Sequence, residues 1–225
     1  MEKVIEIENL RARIDQLNEK LISGIATRIK YPLNKGVFEE EFFEGKSWFL
    51  YRLKKDQDLD AEFGRFLYND QLPFIFKRDE LENAKIADPE NKGVRPVEID
   101  SSKKIIGMYQ EMLNELCENK EDKGTYGETT KMDVENVLTL NERTVGLGEQ
   151  VAAYKVTNNP ELKTLSSEEI RKELIKPERE KQVIEQTILI AKKYKIDNNK
   201  LMEKFARNLI DIALDAEVHF ILNSR

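Results

Sequence analysis

The sequence predicts an all-α protein, a single-domain helical bundle over residues 1–225, and three observations carry that expectation. Apolar residues recur at spacings of three and four over long stretches, no run alternates strictly as a strand would, and Pro- or Gly-containing polar clusters separate the periodic segments. The composition agrees, because 40% apolar residues can fill a core beneath a surface fed by 36% charged residues.

The first helix is read over 3–30, where Ile7, Leu10, Ile14, Leu17, Leu21 and Ile25 fall on one stripe. Pro32 stops it, since proline lacks a backbone donor and biases Tyr31 away from helical dihedrals. A second helix is expected from about Gly45 to Leu67, with Trp48, Phe49, Leu53, Leu59, Phe63 and Phe66 as its apolar set, closed by Asn69-Asp70-Gln71-Leu72-Pro73. Residues 77–99 hold no period around Pro89, Gly93 and Pro96 and read as a loop with one short helical turn. A third helix is expected from Ser101 to Asn119, apolar at Ile105, Ile106, Tyr109, Met112, Leu113 and Leu116, followed by a polar surface loop that runs through Gly124 to Tyr126-Gly127. The helical pattern resumes from Thr130 to Val156, continuous through Gly146 and Gly148, until Asn158-Asn159-Pro160. Ser166 opens a short helix. Lys176-Pro177-Glu178 begins another that continues to about Lys195, with proline in the first position and acids in the first turn. The last helix, Lys200 to Asn223, carries two adjacent apolar stripes, one through Leu201, Phe205, Leu209 and Ile212 and one through Ala206, Ile210 and Ala213, so it should be deeply packed. Helices of up to about 28 residues commonly pack as bundles or across a dimer interface.

Several function classes drop out at once. With 37 Lys and Arg against 43 acids the net charge is −6, which argues against a nucleic-acid backbone as partner. Cys117 alone allows neither an intrachain disulfide nor a thiolate cluster, and His219 alone removes the Ser-His-Asp, zinc-hydrolase and two-His iron arrangements, so no metal site is expected. No apolar run approaches the roughly 18 residues of a membrane span, and the N-terminus is charged and periodic, so a cytoplasmic location without membrane contact is expected. Gly146-Leu147-Gly148 has no strand before it and is not read as a phosphate loop.

A few charges stand where apolar residues would be expected. Glu217 lies four residues after Ala213 and four before Ile221, in the middle of a stripe; burial would raise its pKa and favour a protonated donor, or else it forms a structural ion pair. Lys155 ends the stripe through Val134, Leu138, Val145 and Ala152, where snorkelling from a helix end is the plain reading. Arg11 and Arg28 flank the seam of the first helix and read as solvated, while Arg179 and Glu180 open a helix, where Glu180 suits the dipole.

Taken together these segments resemble the all-helical (AroQ-class) chorismate mutases, in particular their longer, eukaryotic-type branch. The resemblance rests on Leu10-Arg11-Ala12-Arg13-Ile14-Asp15, on Ala26 to Asn34, on Gly64 to Phe74 with its Arg65-Phe66 and Pro73-Phe74 pairs, on Tyr126-Gly127 and on Asp133-Val134-Glu135. It implies that Arg11 reaches the active site, that Lys155 clamps the substrate with Arg143, that Arg179 and Glu180 bind substrate, with Glu180 on a hydroxyl, and that Glu217 hydrogen-bonds the ether oxygen. The family spaces that arginine and lysine eleven residues apart; here the separation is twelve, displaced by about 100° on an α-helix, which a one-residue bulge near Gly146 or Gly148 would absorb. Lys176 and Ala213 depart from the usual Asn or Asp and Ser or Thr. Arg28 follows Arg11 by seventeen residues, as in the short bacterial enzymes, yet Glu39 stands where their lysine would be and Pro32 breaks the helix first, so the resemblance places the site at Arg143 and Lys155.

The implied reaction is the rearrangement of chorismate to prephenate in phenylalanine and tyrosine biosynthesis, a one-substrate pericyclic step that needs no metal, nucleophile or cofactor. The resemblance also implies a homodimer and an aromatic amino acid effector near Arg65, Gly127 and Glu128, with Glu128 in place of a serine. The alternatives are a catalytically silent relative that binds a carboxylate or only dimerises, and an isochorismate pyruvate lyase on the same scaffold.

Overall fold

A computed structural model describes residues 7–66, 72–82 and 99–224 of the chain. Helix α1 (Ile7–Arg28) follows the first apolar stripe and ends one turn before Pro32. A single turn, α2 (Gly36–Glu39), precedes a short antiparallel ribbon of β1 (Glu41–Phe43) and β2 (Lys46–Ser47). The ribbon was not legible as a period-two pattern because it is only a few residues long; its signal is the two-residue loop Glu44-Gly45, with both φ values positive, 54° and 70°, as the tight hairpin turns that match strand twist require. Helix α3 (Trp48–Glu62) starts three residues later than the apolar pattern suggests, because the Ser47 side chain accepts from the Leu50 N–H and fixes the start.

Helices α4 (Ser102–Leu116), α5 (Tyr126–Asn141) and α6 (Leu147–Asn158) follow, and between α5 and α6 the chain makes a π-helical turn over Glu142–Gly146. Tyr126-Gly127, read from sequence as loop, are the first residues of α5, which the Asp122 side chain and a preceding 3₁₀ turn lead into. Helix α7 (Ser167–Leu174) carries a capping box in which Ser166 and Glu169 satisfy each other's backbone N–H groups. Helix α8 (Pro177–Lys193) begins with its proline, and α9 (Asn199–Asn223) is capped by the Asn198 side chain. A 3₁₀ turn at Arg78–Glu80 is the short turn expected in the 77–99 loop; residues 83–98, residues 3–6 of the first helix and residues 67–71 of the aromatic segment lie outside the described residues. Among the described residues no helix is long and apolar enough to cross a membrane.

The chain divides into two compact units, Met1–Ser23 with Val97–Met108 and Thr139–Arg225, and Gly24–Pro96 with Tyr109–Leu138. In the first, α9 packs against α6, α7 and α8 and buries Phe205, Ala206, Leu209, Ile212 and Ile221, while Ile210 and Ala213 of the second stripe are half-buried. Each of the larger side chains, Phe205, Leu209, Ile212 and Ile221, contributes roughly 1.5–3 kcal/mol when removed from water, before the entropy of ordering is set against it. Leu10 and Leu17 of α1 meet Leu147 and Val151 of α6. Gly148 lets α6 approach α9, since a Cβ there would sit 3.1 Å from the Ala213 carbonyl oxygen and 3.3 Å from the Ala216 Cβ. At the rim Asp215 accepts from Lys104 of α4 and Arg171 of α7.

In the second unit two sequence expectations fail. Arg28 is fully buried rather than solvated: its Nε donates to Asp133 at 2.7 Å and its terminal nitrogens donate to the carbonyls of Pro32 and Leu33, which the proline stop turns back onto the helix end. Asp133 also accepts from the buried Tyr109 hydroxyl, and burial pushes its carboxyl up to about 6 despite Arg28. On α3, Leu59 and Phe63 are exposed, while the polar Gln57 and Asp58 are buried. Gln57 exchanges two hydrogen bonds with the backbone of Phe74, and Asp58 accepts from Lys54 and the Glu82 N–H, so this face of α3 anchors a loop instead of extending the apolar core.

Candidate active site

One face of the first unit opens into a cavity of about 220 Å³. A single water needs only roughly 10–15 Å³ of such space, so the cavity has room for a small organic molecule. Its walls come from the start of α1, the π turn, α6, the start of α8 and the middle of α9. Apolar side chains such as Ile14, Val151, Val183 and Ile210 line part of it, and the polar remainder is strongly biased, with five cations, Arg11, Arg143, Lys155, Lys176 and Arg179, against two carboxylates, Glu180 and Glu217. In a protein of net charge −6 this is a local reversal of sign.

The six residues named for the site from sequence, Arg11, Arg143, Lys155, Arg179, Glu180 and Glu217, all line this cavity, as do the two departures Lys176 and Ala213. Lys155 Nζ donates to Glu217 Oε2 at 2.6 Å. Burial raises the Glu217 pKa, opposed by the charge and hydrogen bond of Lys155. Lys155 therefore does more than snorkel from a helix end, and both readings of Glu217 have a basis here, a carboxyl pushed toward its protonated form and an ion pair.

Arg143 differs from the other cations. It is 4% exposed, its Nε has no hydrogen-bond partner, and among the described residues no carboxylate lies within ion-pair distance of it. Burial lowers its pKa to about 10, with Asp15 opposing and the Arg179 charge adding to the effect. A buried guanidinium whose Nε–H makes no hydrogen bond, in a residue that lines the cavity, is a group that an anionic ligand would stabilise. The π turn places it there. The Leu147 N–H donates to the Glu142 carbonyl five residues back, so the extra residue is absorbed between Arg143 and Lys155 and both side chains reach one cavity.

Two of the remaining cations are tethered at the surface. Arg11 pairs with Glu8 at 2.7 Å, and Arg179 faces Asp15 at 3.7 Å and Gln182. Asp15 did not stand out in the sequence, although it lies four residues after Arg11 and so shares its helical face. The residues named for an effector lie in the second unit. Arg65 follows α3 and faces Asp60 at 3.4 Å, and Gly127 and Glu128 belong to the first turn of α5.

No protein-family model matches the chain, and none of the curated proteins does. Solved structures do. The chorismate mutase Aro7p of Candida albicans, in complex with L-Trp, superposes with a TM-score of 0.85 at 17% identity, over 98% of this chain and 92% of that one. The chloroplast chorismate mutase of Zea mays gives 0.79 at 18% identity over 99% and 96% of the two chains. The fold is that of the eukaryotic chorismate mutases. The Arabidopsis protein AtCM1, with phenylalanine bound in an allosteric site, shares this chorismate mutase fold with a TM-score of 0.80 at 21% identity over 98% and 97% of the chains. All-α architecture and helix order in the present protein are therefore those of the chorismate mutase fold, while identities this low leave the chemistry to be argued from the cavity itself.

Proposed function

We propose that the protein is a chorismate mutase, an isomerase that rearranges chorismate to prephenate in the cavity of the first unit. The observation that carries the reading is the buried guanidinium of Arg143, its Nε–H without a hydrogen-bond partner, lining the same cavity as the Lys155–Glu217 pair. Chorismate bears two carboxylates and reacts only from a compact conformer, so a catalyst must grip both ends of a dianion. Arg143 from the π turn and Lys155 from α6, with Arg11 and Arg179 from α1 and α8, supply that grip, and holding the reacting carbons in contact lowers the barrier by positioning alone. As the ether bond stretches, negative charge grows on its oxygen. Lys155 and a protonated Glu217 donate to that oxygen more strongly in the transition state than in the ground state, which is the part that raises kcat. Glu180 accepts from the ring hydroxyl.

On the same reading the protein acts in the cytoplasm as a homodimer, with an aromatic amino acid effector bound by Arg65, Gly127 and Glu128; the tryptophan complex of the Candida protein and the phenylalanine complex of AtCM1 support an effector of this class. The deciding experiment follows chorismate absorbance with purified protein and identifies prephenate as product. Saturable turnover is the expected result. Chorismate binding without turnover would favour a silent relative, and pyruvate release from isochorismate would favour the lyase.

A further inference from the structure

The π turn at Glu142–Gly146 lies between two stretches that other contacts hold. On one side Leu140, in the last turn of α5, is fully buried; on the other Leu147 and Val151 of α6 are fixed against α1, and Gly148 against α9. Within the turn every residue but one has a visible task. Glu142 accepts from Arg13 of α1, Arg143 faces the cavity, Thr144 is buried with its hydroxyl bonded to the Leu140 carbonyl, and Val145 is partly buried. Gly146, partly buried like Val145, places no side chain against a neighbour, and a Cβ built on it meets nothing within 4 Å.

We propose that the π turn is a register insertion that aims Arg143, with Gly146 as the dispensable extra residue and Glu142, held by Arg13, as the positioning residue that fixes which side chain faces the cavity. Twelve α-helical steps would leave Arg143 and Lys155 about 120° apart, whereas eleven leave them about 20° apart, so absorbing one residue is what brings both side chains into one cavity. The inference deepens the proposed function and rests on it only where turnover is the readout.

Two single-residue deletions separate register from mere shortening. Deleting Gly146 or deleting Glu142 each removes the extra residue and allows an unbroken α-helix between the same fixed ends. The first keeps Arg143 in its own slot at eleven steps from Lys155; the second moves Arg143 into the slot that Glu142 vacates, opposite Arg13. The expected result is that kcat/KM for chorismate stays within about threefold of wild type on deletion of Gly146 and falls by about 10²-fold on deletion of Glu142, the scale of a misplaced clamp. A second readout needs no substrate. In ¹⁵N-edited spectra of the full-length protein, the Arg143 Nε–H, assigned by its loss in Arg143→Lys, should exchange slowly in wild type and on deletion of Gly146 and rapidly on deletion of Glu142. If neither deletion changes that exchange, or if both accelerate it alike, the register inference is overturned whatever the activity. Wild-type protein inert toward chorismate would instead overturn the proposed function and leave the exchange experiment to decide the register.

Discussion

Replacing Arg143 by methionine keeps an unbranched side chain in the slot but removes the charge, and the structure predicts opposite effects on stability and on activity. Burial lowers the guanidinium pKa from 12.5 to about 10. At 1.36 kcal/mol per unit, holding that charge inside costs the folded state on the order of 3 kcal/mol. The sign is fixed by the direction of the shift. Below pH about 10 the group is protonated in both folded and unfolded chains, so the penalty is fully present at neutral pH and fades only as pH rises through the folded value. Arg143→Met should therefore raise the free energy of unfolding by about 1–3 kcal/mol, read as a higher urea midpoint at pH 7 with an unchanged m-value. The same substitution should lower kcat/KM by about 10²-fold or more, and chorismate should no longer shift the midpoint, whereas saturating a wild-type site at a hundred times its Kd adds about 2.7 kcal/mol. A variant that is less stable than wild type yet turns over chorismate normally would refute the reasoning, because the guanidinium would then be a structural group rather than one held in reserve for an anion.

Three further outcomes follow from other groups. If the Glu217 carboxyl, raised by burial, donates in its neutral form, wild-type kcat should fall as pH rises through that pKa and the Glu217→Gln profile should be flat; equal pH sensitivity in both would exclude the role. Gly148→Ala should cost about 1–3 kcal/mol in a denaturation experiment and reduce turnover, because the added methyl meets the Ala213 carbonyl and pushes α6, with Lys155 two turns further on, away from α9. Asp133→Ala should cost about 1–3 kcal/mol for each donor it leaves buried without an acceptor, the Arg28 Nε–H and the Tyr109 hydroxyl. Because the Asp133 pKa is raised to about 6 from 3.8, this group adds stability as pH falls between those values, a slope that urea titrations of Asp133→Asn should lack.

Much of the architecture could be read from periodicity. The stripes of α1 and α9 and the proline and glycine stops mark long helices whose burial follows the pattern, as Leu21, Ile25, Phe205 and Ile221 illustrate. What periodicity cannot show is polar anchoring. Gln57 and Asp58 occupy buried positions on α3 because they satisfy the backbone of a loop distant in sequence, and Arg28 is buried because three carbonyl or carboxylate oxygens converge on it. At the site, Glu217 was visible as a charge within a stripe, and Arg143 and Lys155 through a spacing one residue too long for a straight helix. That misfit pointed to the turn. Asp15 gave a weaker signal, since an acid on an amphipathic helix ordinarily faces water and its place beside Arg179 depends on where α8 begins.

The inverted charge of the cavity has a kinetic consequence. A dianion approaching the molecule first meets a body of net charge −6 and only at close range the surplus of cations around Arg143. With a screening length of about 8 Å at physiological ionic strength, added salt hides the distant repulsion before it weakens contacts made inside the protein. Capture should therefore be slowest in dilute buffer and quicken as electrolyte is added, the reverse of the behaviour of enzymes that draw anions in with a basic exterior.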